Sequence, residues 1–407
     1  MHALLGERCI PSPMTRLLYE TDPYMSRFDA QVEKIQGEWV ILDRTAFFPG
    51  GGGQDADVGW MGGLEVTEVV MKGEVLHRVP GHDLKVGQRL DCEVDWERRH
   101  DLMRGHTGEH LLFSVLSKMN PDIELVKIAI TPKKKVLLVK GDINWNLLAL
   151  AQVETNAAIA AQLPVTEMWA SKDSEVVKEI RIKVDRIHGD KVRIVKIGDI
   201  DKAACAGVHI QNTRELRMLL ITKLTSAKPA GDHEIEFETG RSAMEDALRL
   251  ASTALQAAEV VGALPEDLVN ALNNLKGEMQ IAKNAVRKLG RESLANLAPE
   301  KFEGVRLYSG VFEGIDKKSL IDSVNEFIKN DRTVAIMGAV DDRLMLVVAS
   351  SKDLEVDCRE ILAGALSGVG GKGGGGRNFA SGGAATPDLA KDVVEEARSL
   401  LRSRLAA

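Results

Sequence analysis

Paired cysteines are the first thing missing from this sequence. Its four cysteines, Cys9, Cys92, Cys205 and Cys358, are scattered through 407 residues with no two at a short spacing. That argues against a disulfide framework and fits a reducing cytoplasm, where such a residue serves sooner as a ligand than as half a disulfide. Long apolar runs are missing too: none approaches the ~20 residues that span a bilayer. The amino-terminal stretch MHALLGERCIPSPMTR has neither a leading basic region nor a long apolar core, so neither a membrane nor a signal peptide is expected. Basic residues are not in excess either, with 53 lysines and arginines against 60 aspartates and glutamates and a formal net charge of −7. This argues against non-specific wrapping of DNA and leaves room for a nucleic acid held on local basic patches. No internal repeat is evident.

What is present divides the chain into four stretches and an α+β class. Residues 1–95 carry short apolar segments broken by glycine, such as WVILDRTAFF and RLDCEVD, and read as a small β-barrel or sandwich. Residues 96–240 begin with a helical stretch, WERRHDLMRGHTGEHLLFSVLSKM, and continue as mixed α+β. In 241–295, Met244, Leu248, Ala251, Leu255 and Ala258 follow heptad steps, as do Leu268, Leu272, Leu275, Met279, Ala282, Val286 and Leu289 beyond GALPED. Two seams with a Gly/Pro break predict an antiparallel helical hairpin, which either packs on a neighbouring domain or dimerises. Residues 296–407 alternate strands and helices as an α/β module, with the glycine-rich stretch GVGGKGGGGRNFASGGA expected as a loop between two helices. A linker would lie between domains, not inside one.

Two pairs of metal-type residues stand out. In HTGEH, His106 and His110 are four apart and project from one helix face. Far downstream, in DKAACAGVHI, Cys205 and His209 are again four apart. Three imidazoles and a thiolate suit one zinc ion. The same HTGEH also fits H-x-x-E-H, the inverted zinc-peptidase signature with Glu109 as base, although that leaves Cys205 and His209 unused. A third feature is TAFFPGGGGQDADVG, where four glycines bring the backbone close to a ligand and Gln54 supplies an amide that both donates and accepts.

In their order, TAFFPGGGGQDADVG, RGHTGEHLL and CAGVH resemble the stand-alone alanyl-tRNA editing proteins and the editing domain of alanyl-tRNA synthetase. The glycine-rich stretch looks like the carboxy-terminal domain of that synthetase, which is also found in DHH-family phosphoesterases; no Asp-His-His motif occurs here. A free-standing long form is expected, since no class II aminoacylation domain precedes residue 15. The resemblance implies a translation-fidelity hydrolase that deacylates seryl-tRNA, and also glycyl-tRNA, charged on the alanine tRNA. It implies one zinc per chain on His106, His110, Cys205 and His209, which either activates water or positions the tRNA end. Thr45 would read the seryl hydroxyl, Gln54 would line the pocket without holding zinc, and Glu109 is either a base or a solvated carboxylate. Arg104 would contact the tRNA end or form a surface ion pair. Lys372, Arg377 and Gly373, Gly374, Gly375 and Gly376 would meet the outer corner of tRNA. Phe379 stacks on a base or plugs the core. Val208 replaces the family threonine and Gly108 the family alanine. A non-catalytic tRNA-binding scaffold is the remaining class.

Overall fold

The structure is a computed structural model that describes residues 15–178, 180, 190–228 and 231–406. The stretch 1–14, with Cys9 and the segment taken to lack a signal peptide, lies outside the described residues. The chain is mixed α+β, with eight α-helices among the described residues: α1 Trp96–Met119, α2 Trp145–Ala160, α3 Glu175–Lys178, α4 Gly240–Val261, α5 Leu268–Ala295, α6 Lys317–Phe327, α7 Cys358–Ser367 and α8 Ala390–Leu405. None of them is long and apolar enough to cross a membrane. The chain forms two compact units, Met1–Ala254 and Leu255–Ala407.

The first unit opens with a seven-stranded sheet. Its order is Leu64–Val66, Gly59–Met61, Arg89–Val94, Arg27–Gln36, Trp39–Leu42, Glu74–Arg78 and Glu68–Lys72. Alternating residues such as Val32, Val40, Leu42, Val69, Val75 and Val94 are buried together beneath it. The two edge strands are not hydrogen-bonded to each other among the described residues, so the expected small barrel is found as a sheet with two edges.

Helix α1 follows. Asp95 caps it by accepting from the Arg98 amide at 3.1 Å, which ends the preceding strand and starts the helix. It packs on a four-stranded antiparallel sheet ordered Glu124–Ile130, Lys135–Lys140, Asp232–Thr239 and Leu219–Ser226. Two glycines permit the close approach. A Cβ on Gly105 would sit 2.9 Å from Ile130 Cγ2, and one on Gly108 would sit 3.0 Å from Thr239 Cγ2. The glycine that replaces alanine at 108 therefore answers a tight seat on the sheet. A three-stranded sheet, Val165–Ser171, Lys191–Ile197 and Asp201–Ala204, completes the unit and delivers the chain to Cys205.

In the second unit a six-stranded sheet runs Glu300–Phe302, Val305–Glu313, Thr333–Val340, Leu344–Ser350, Phe379–Ala384 and Lys372–Gly376. One apolar cluster includes α7 and α8 residues, among them Ile361, Leu362, Val393 and Leu401. Another joins Leu294 of α5 and Leu320 and Val324 of α6 to Ala335, Met337 and Val347 of the sheet. The glycine-rich stretch is not a loop, as expected, but a β-hairpin whose first strand forms the sheet edge. Gly373 and Gly382 face α7 so closely that a Cβ would lie 2.7 Å from Leu362 Cδ2 or Leu366 Cδ1. Phe379 is partly buried against the α6-side cluster. Helices α4 and α5 form on either side of the Gly262–Asp267 break, and the α5 seam residues Leu272, Leu275, Met279, Val286 and Leu289 are exposed.

Candidate metal centre

The four residues paired by spacing in the sequence meet in space. One ligand atom from each of His106, His110, Cys205 and His209 lies within 4.8 Å of every other. His106 Nε2 is 3.5 Å and His209 Nε2 3.3 Å from Cys205 Sγ. Helix α1 brings the two histidines in one turn apart, and the segment after strand Asp201–Ala204 brings Cys205 and His209 to them.

Each ring is turned by a bond on its other nitrogen. The Val208 amide donates to Gln54 Oε1 at 3.1 Å, so that atom is oxygen and not nitrogen. His106 Nδ1, 2.7 Å from the same oxygen, must then carry its proton, which leaves Nε2 as a lone pair facing the thiol. His110 Nδ1 lies 2.7 Å from Asp201 Oδ2. His209 Nδ1 lies 3.1 Å from Thr107 Oγ1. All three Nε2 atoms are thus freed toward one point shared with a sulfur, a donor set that fits zinc.

Electrostatics favours the thiolate. Burial resists ionisation of Cys205, but the three imidazoles around it outweigh burial and hold the thiol well below its ordinary range. Burial also drives His209 down to about 3, so it is neutral. For His110 burial acts in the same direction, yet Cys205 and Asp201 prevail and raise it to about 10. The metal-free cluster therefore favours the Cys205 thiolate beside a protonated His110, and the His110 proton must leave when a cation binds.

The glycine-glutamine loop is built to deliver Gln54. Gly50, Gly51, Gly52 and Gly53 have φ of 76, 145, 60 and 91°, a left-handed run that side chains rarely adopt. The loop is pinned to the strand Glu124–Ile130 through Ile130 N to Gly53 O and Asp55 N to Ile130 O. At its base Arg99, wholly buried, donates to Asp57 and to the carbonyls of Pro23 and Ala46, while Asp57 accepts from the Phe48 amide. Gln54 is 3% exposed, and its Nε2 has no hydrogen-bond partner among the described residues. Besides standing beside the cluster, as expected of a pocket residue, Gln54 thus orients His106 through its oxygen.

The Cys205 turn is held by Arg193, which donates to the carbonyls of Cys205 and Gly207 and is itself clamped by Glu167. Gly207 is required there, because a Cβ would fall 2.1 Å from His106 Cε1. Val208 points into the apolar core, so its missing hydroxyl is replaced by packing.

Other expected residues lie elsewhere or differently. Glu109 is 1% exposed, not a solvated carboxylate, with Oε2 3.9 Å from His110 Nε2. Thr45 is not brought to the metal group. His77 Nδ1 donates to Val40 O, so its Nε2 accepts from the Thr45 hydroxyl at 2.8 Å, and that hydroxyl accepts from the Phe47 amide. With its proton donated to His77, Thr45 has only an oxygen lone pair left for a further partner. Arg104 pairs with Asp101 on its own helix. Lys372 and Arg377 are exposed on the glycine hairpin of the other unit. Sequence reasoning missed Asp201, Thr107, Ser114, Arg193 and Asp57. Only Arg193, a charge among the apolar residues of VRIVKI, carried a signal.

His77 yields a pH prediction. Burial lowers it from 6.5 to about 4 against the opposing Val40 bond. Between those values the unfolded chain binds the proton and the folded chain does not, so stability is complete above about 6.5 and falls as pH drops toward 4. The loss amounts to about 3 kcal/mol. Denaturant melts from pH 7 to 4.5 should show a steeper loss for the wild type than for His77→Gln; parallel curves would refute it.

A profile described as class II (A) tRNA synthetases matches residues 20–98. Another, described as the threonyl and alanyl tRNA synthetase second additional domain, matches residues 192–231, which contain Cys205 and His209. The alanyl-tRNA editing protein AlaX-L of Pyrococcus horikoshii is 29% identical over 410 residues, covering 96% of this chain and all of that protein. The alanine–tRNA ligases of Thermotoga maritima and Thermococcus kodakarensis are 29% and 30% identical over 89% and 96% of this chain. The chain spans only 44% of each ligase's length. A solved C-Ala domain of Aquifex aeolicus alanyl-tRNA synthetase is matched over its full length by 27% of this chain at 24% identity, with a TM-score of 0.24, too low to bear on the fold. Over nearly its whole length this chain is therefore similar to a long-form alanyl-tRNA editing protein and to the corresponding part of alanine–tRNA ligases.

Proposed function

We propose that this protein is an aminoacyl-tRNA deacylase that edits alanine tRNA, hydrolysing the ester between a wrongly attached serine, or glycine, and the 3′-terminal adenosine. The observation that carries the proposal is the convergence of three oriented, buried histidines on a half-buried cysteine sulfur, in a chain similar to an editing protein. Serine exceeds alanine by one hydroxyl, which an apolar synthetic pocket rejects poorly, so a second hydrolytic site has a purpose.

Zinc bound by His106, His110, Cys205 and His209 would lower the pKa of a nearby water and stabilise charge on the ester. The remaining work belongs to the chain. Glu109, buried beside His110, takes a proton from water as the water oxygen adds to the ester carbonyl carbon and the carbonyl electron pair moves onto oxygen. Collapse then breaks the acyl–oxygen bond, and Glu109 returns the proton to the departing ribose oxygen. The Gln54 Nε2 donor, which has no hydrogen-bond partner among the described residues, is the group available to the carbonyl oxygen. Lys372 and Arg377, with Gly373–Gly376 between them, offer charge and open backbone to tRNA phosphates, and α4 and α5 offer a surface for a second copy. The four stretches drawn from the sequence would then divide into loop-bearing sheet, metal domain, helical pair and tRNA module.

A zinc peptidase is disfavoured by the carboxylate geometry. Asp201 meets His110 on Nδ1, the ring nitrogen turned away from the common point, where a peptidase would need an acidic ligand. The test is deacylation of seryl- and alanyl-tRNA charged on alanine tRNA. Faster loss of serine is expected. No acceleration over spontaneous hydrolysis, with tRNA still bound, would leave a scaffold in place of an enzyme.

A further inference from the structure

The three histidines are not held alike. His106 donates to a neutral amide, His209 faces a hydroxyl, and His110 alone donates to a carboxylate. That carboxylate is 6% exposed and is held in turn, since Ser114, one helical turn beyond His110, donates to Asp201 Oδ1. We propose that Asp201 is a positioning residue of the metal centre, acting through His110 to make that imidazole the strongest nitrogen donor of the set.

Three features carry this. Asp201 meets Nδ1, so it lies across the ring from Nε2 and acts on the cation only through the imidazole. A carboxylate there fixes the tautomer and increases the electron density at Nε2 more than an amide or hydroxyl does. Asp201 also starts the strand Asp201–Ala204, which runs directly into Cys205. The bond thus ties the helix bearing His106 and His110 to the strand presenting the thiolate, and sets the distance between the two halves of the site.

The inference rests on the metal reading of the site in the proposed function and is independent of the tRNA substrate, so its test contains no tRNA. Asp201→Asn preserves the shape, because its oxygen accepts from His110 and its amide nitrogen donates to Ser114, and removes only the charge. Zinc affinity of the full chain is measured by competition with a chromophoric chelator, and Co2+ absorption by titration. The variant should bind one equivalent of zinc ~10-fold more weakly. At saturating Co2+ it should keep the thiolate charge-transfer band while the ligand-field bands shift. An unchanged zinc affinity with unchanged cobalt bands overturns the proposal. Should Asp201→Asn lose its circular dichroism signal, Ser114→Ala serves in its place: it must weaken zinc binding measurably, and wild-type affinity there overturns the proposal equally. Failure of deacylation in the wild type would strike the proposed function and leave this result standing.

Discussion

Replacing Cys205 by alanine should strip the protein of zinc and abolish most of its deacylation of seryl-tRNA. The cysteine contributes the only sulfur and the only anion among the four donors. Without it, three neutral imidazoles would have to hold a dication whose charge nothing in the first coordination sphere offsets. The expected fall in turnover is on the order of 10²-fold or more, the scale of losing several kcal/mol of charge stabilisation in the transition state. Two measurements should agree. Metal content by mass spectrometry falls from one equivalent toward zero, and a chelated wild type shows the same loss of rate. Added zinc restores the wild type but not the variant. A metal-free Cys205→Ala protein that deacylates at the wild-type rate would remove the metal from the mechanism.

The second large effect concerns stability. Asp57→Ala would leave the Arg99 guanidinium wholly buried without its counter-charge, since Pro23 and Ala46 offer only carbonyl dipoles. Breaking a buried pair on one side costs about 3–5 kcal/mol, because the remaining charge stays out of water. Asp57 also holds the Phe48 amide, so the glycine loop that presents Gln54 should loosen as well. Chemical denaturation of the wild type, Asp57→Ala and the double variant Asp57→Ala/Arg99→Met would test this. The double variant should recover part of the loss, since it removes both charges. A single variant within 1 kcal/mol of the wild type would show that the pair does not hold the loop.

The centre was legible in part because helical geometry links four-residue spacing to a common face, which made HTGEH readable without a structure. Cys205 and His209 gained their meaning as a second pair at the same spacing. Gln54 and His106 are 52 residues apart, and their bond depends on how a loop from one sheet docks on the edge of another, which no local pattern encodes. Asp201 was hidden for the same reason. Its partners lie on a helix far upstream, and the aspartate that opens DKAAC reads as a solvent-facing polar residue of a strand. Thr45 was assigned by resemblance alone, and the neighbouring strand carries the histidine that occupies its hydroxyl. The glycine stretch was recognised as ordered yet read as a loop, because glycine is depleted from strands and only packing under α7 supports it there.

That packing divides the four consecutive glycines at the sheet edge by steric tolerance. A methyl group at Gly373 would strike Leu362 and the Gly382 backbone, and one at Gly375 would strike Phe379 O at 2.3 Å. At Gly374 it would meet nothing within 4 Å, and at Gly376 only Phe379 O at 4.0 Å. Alanine at 373 or 375 is thus a perturbation of folding, whereas at 374 or 376 it changes only what an approaching molecule encounters. The strand contains its own internal control. Alternate positions separate the architecture of the module from what its outer face meets, so a two-residue alternation in loss of tRNA binding would mark that face of the hairpin as the contact surface.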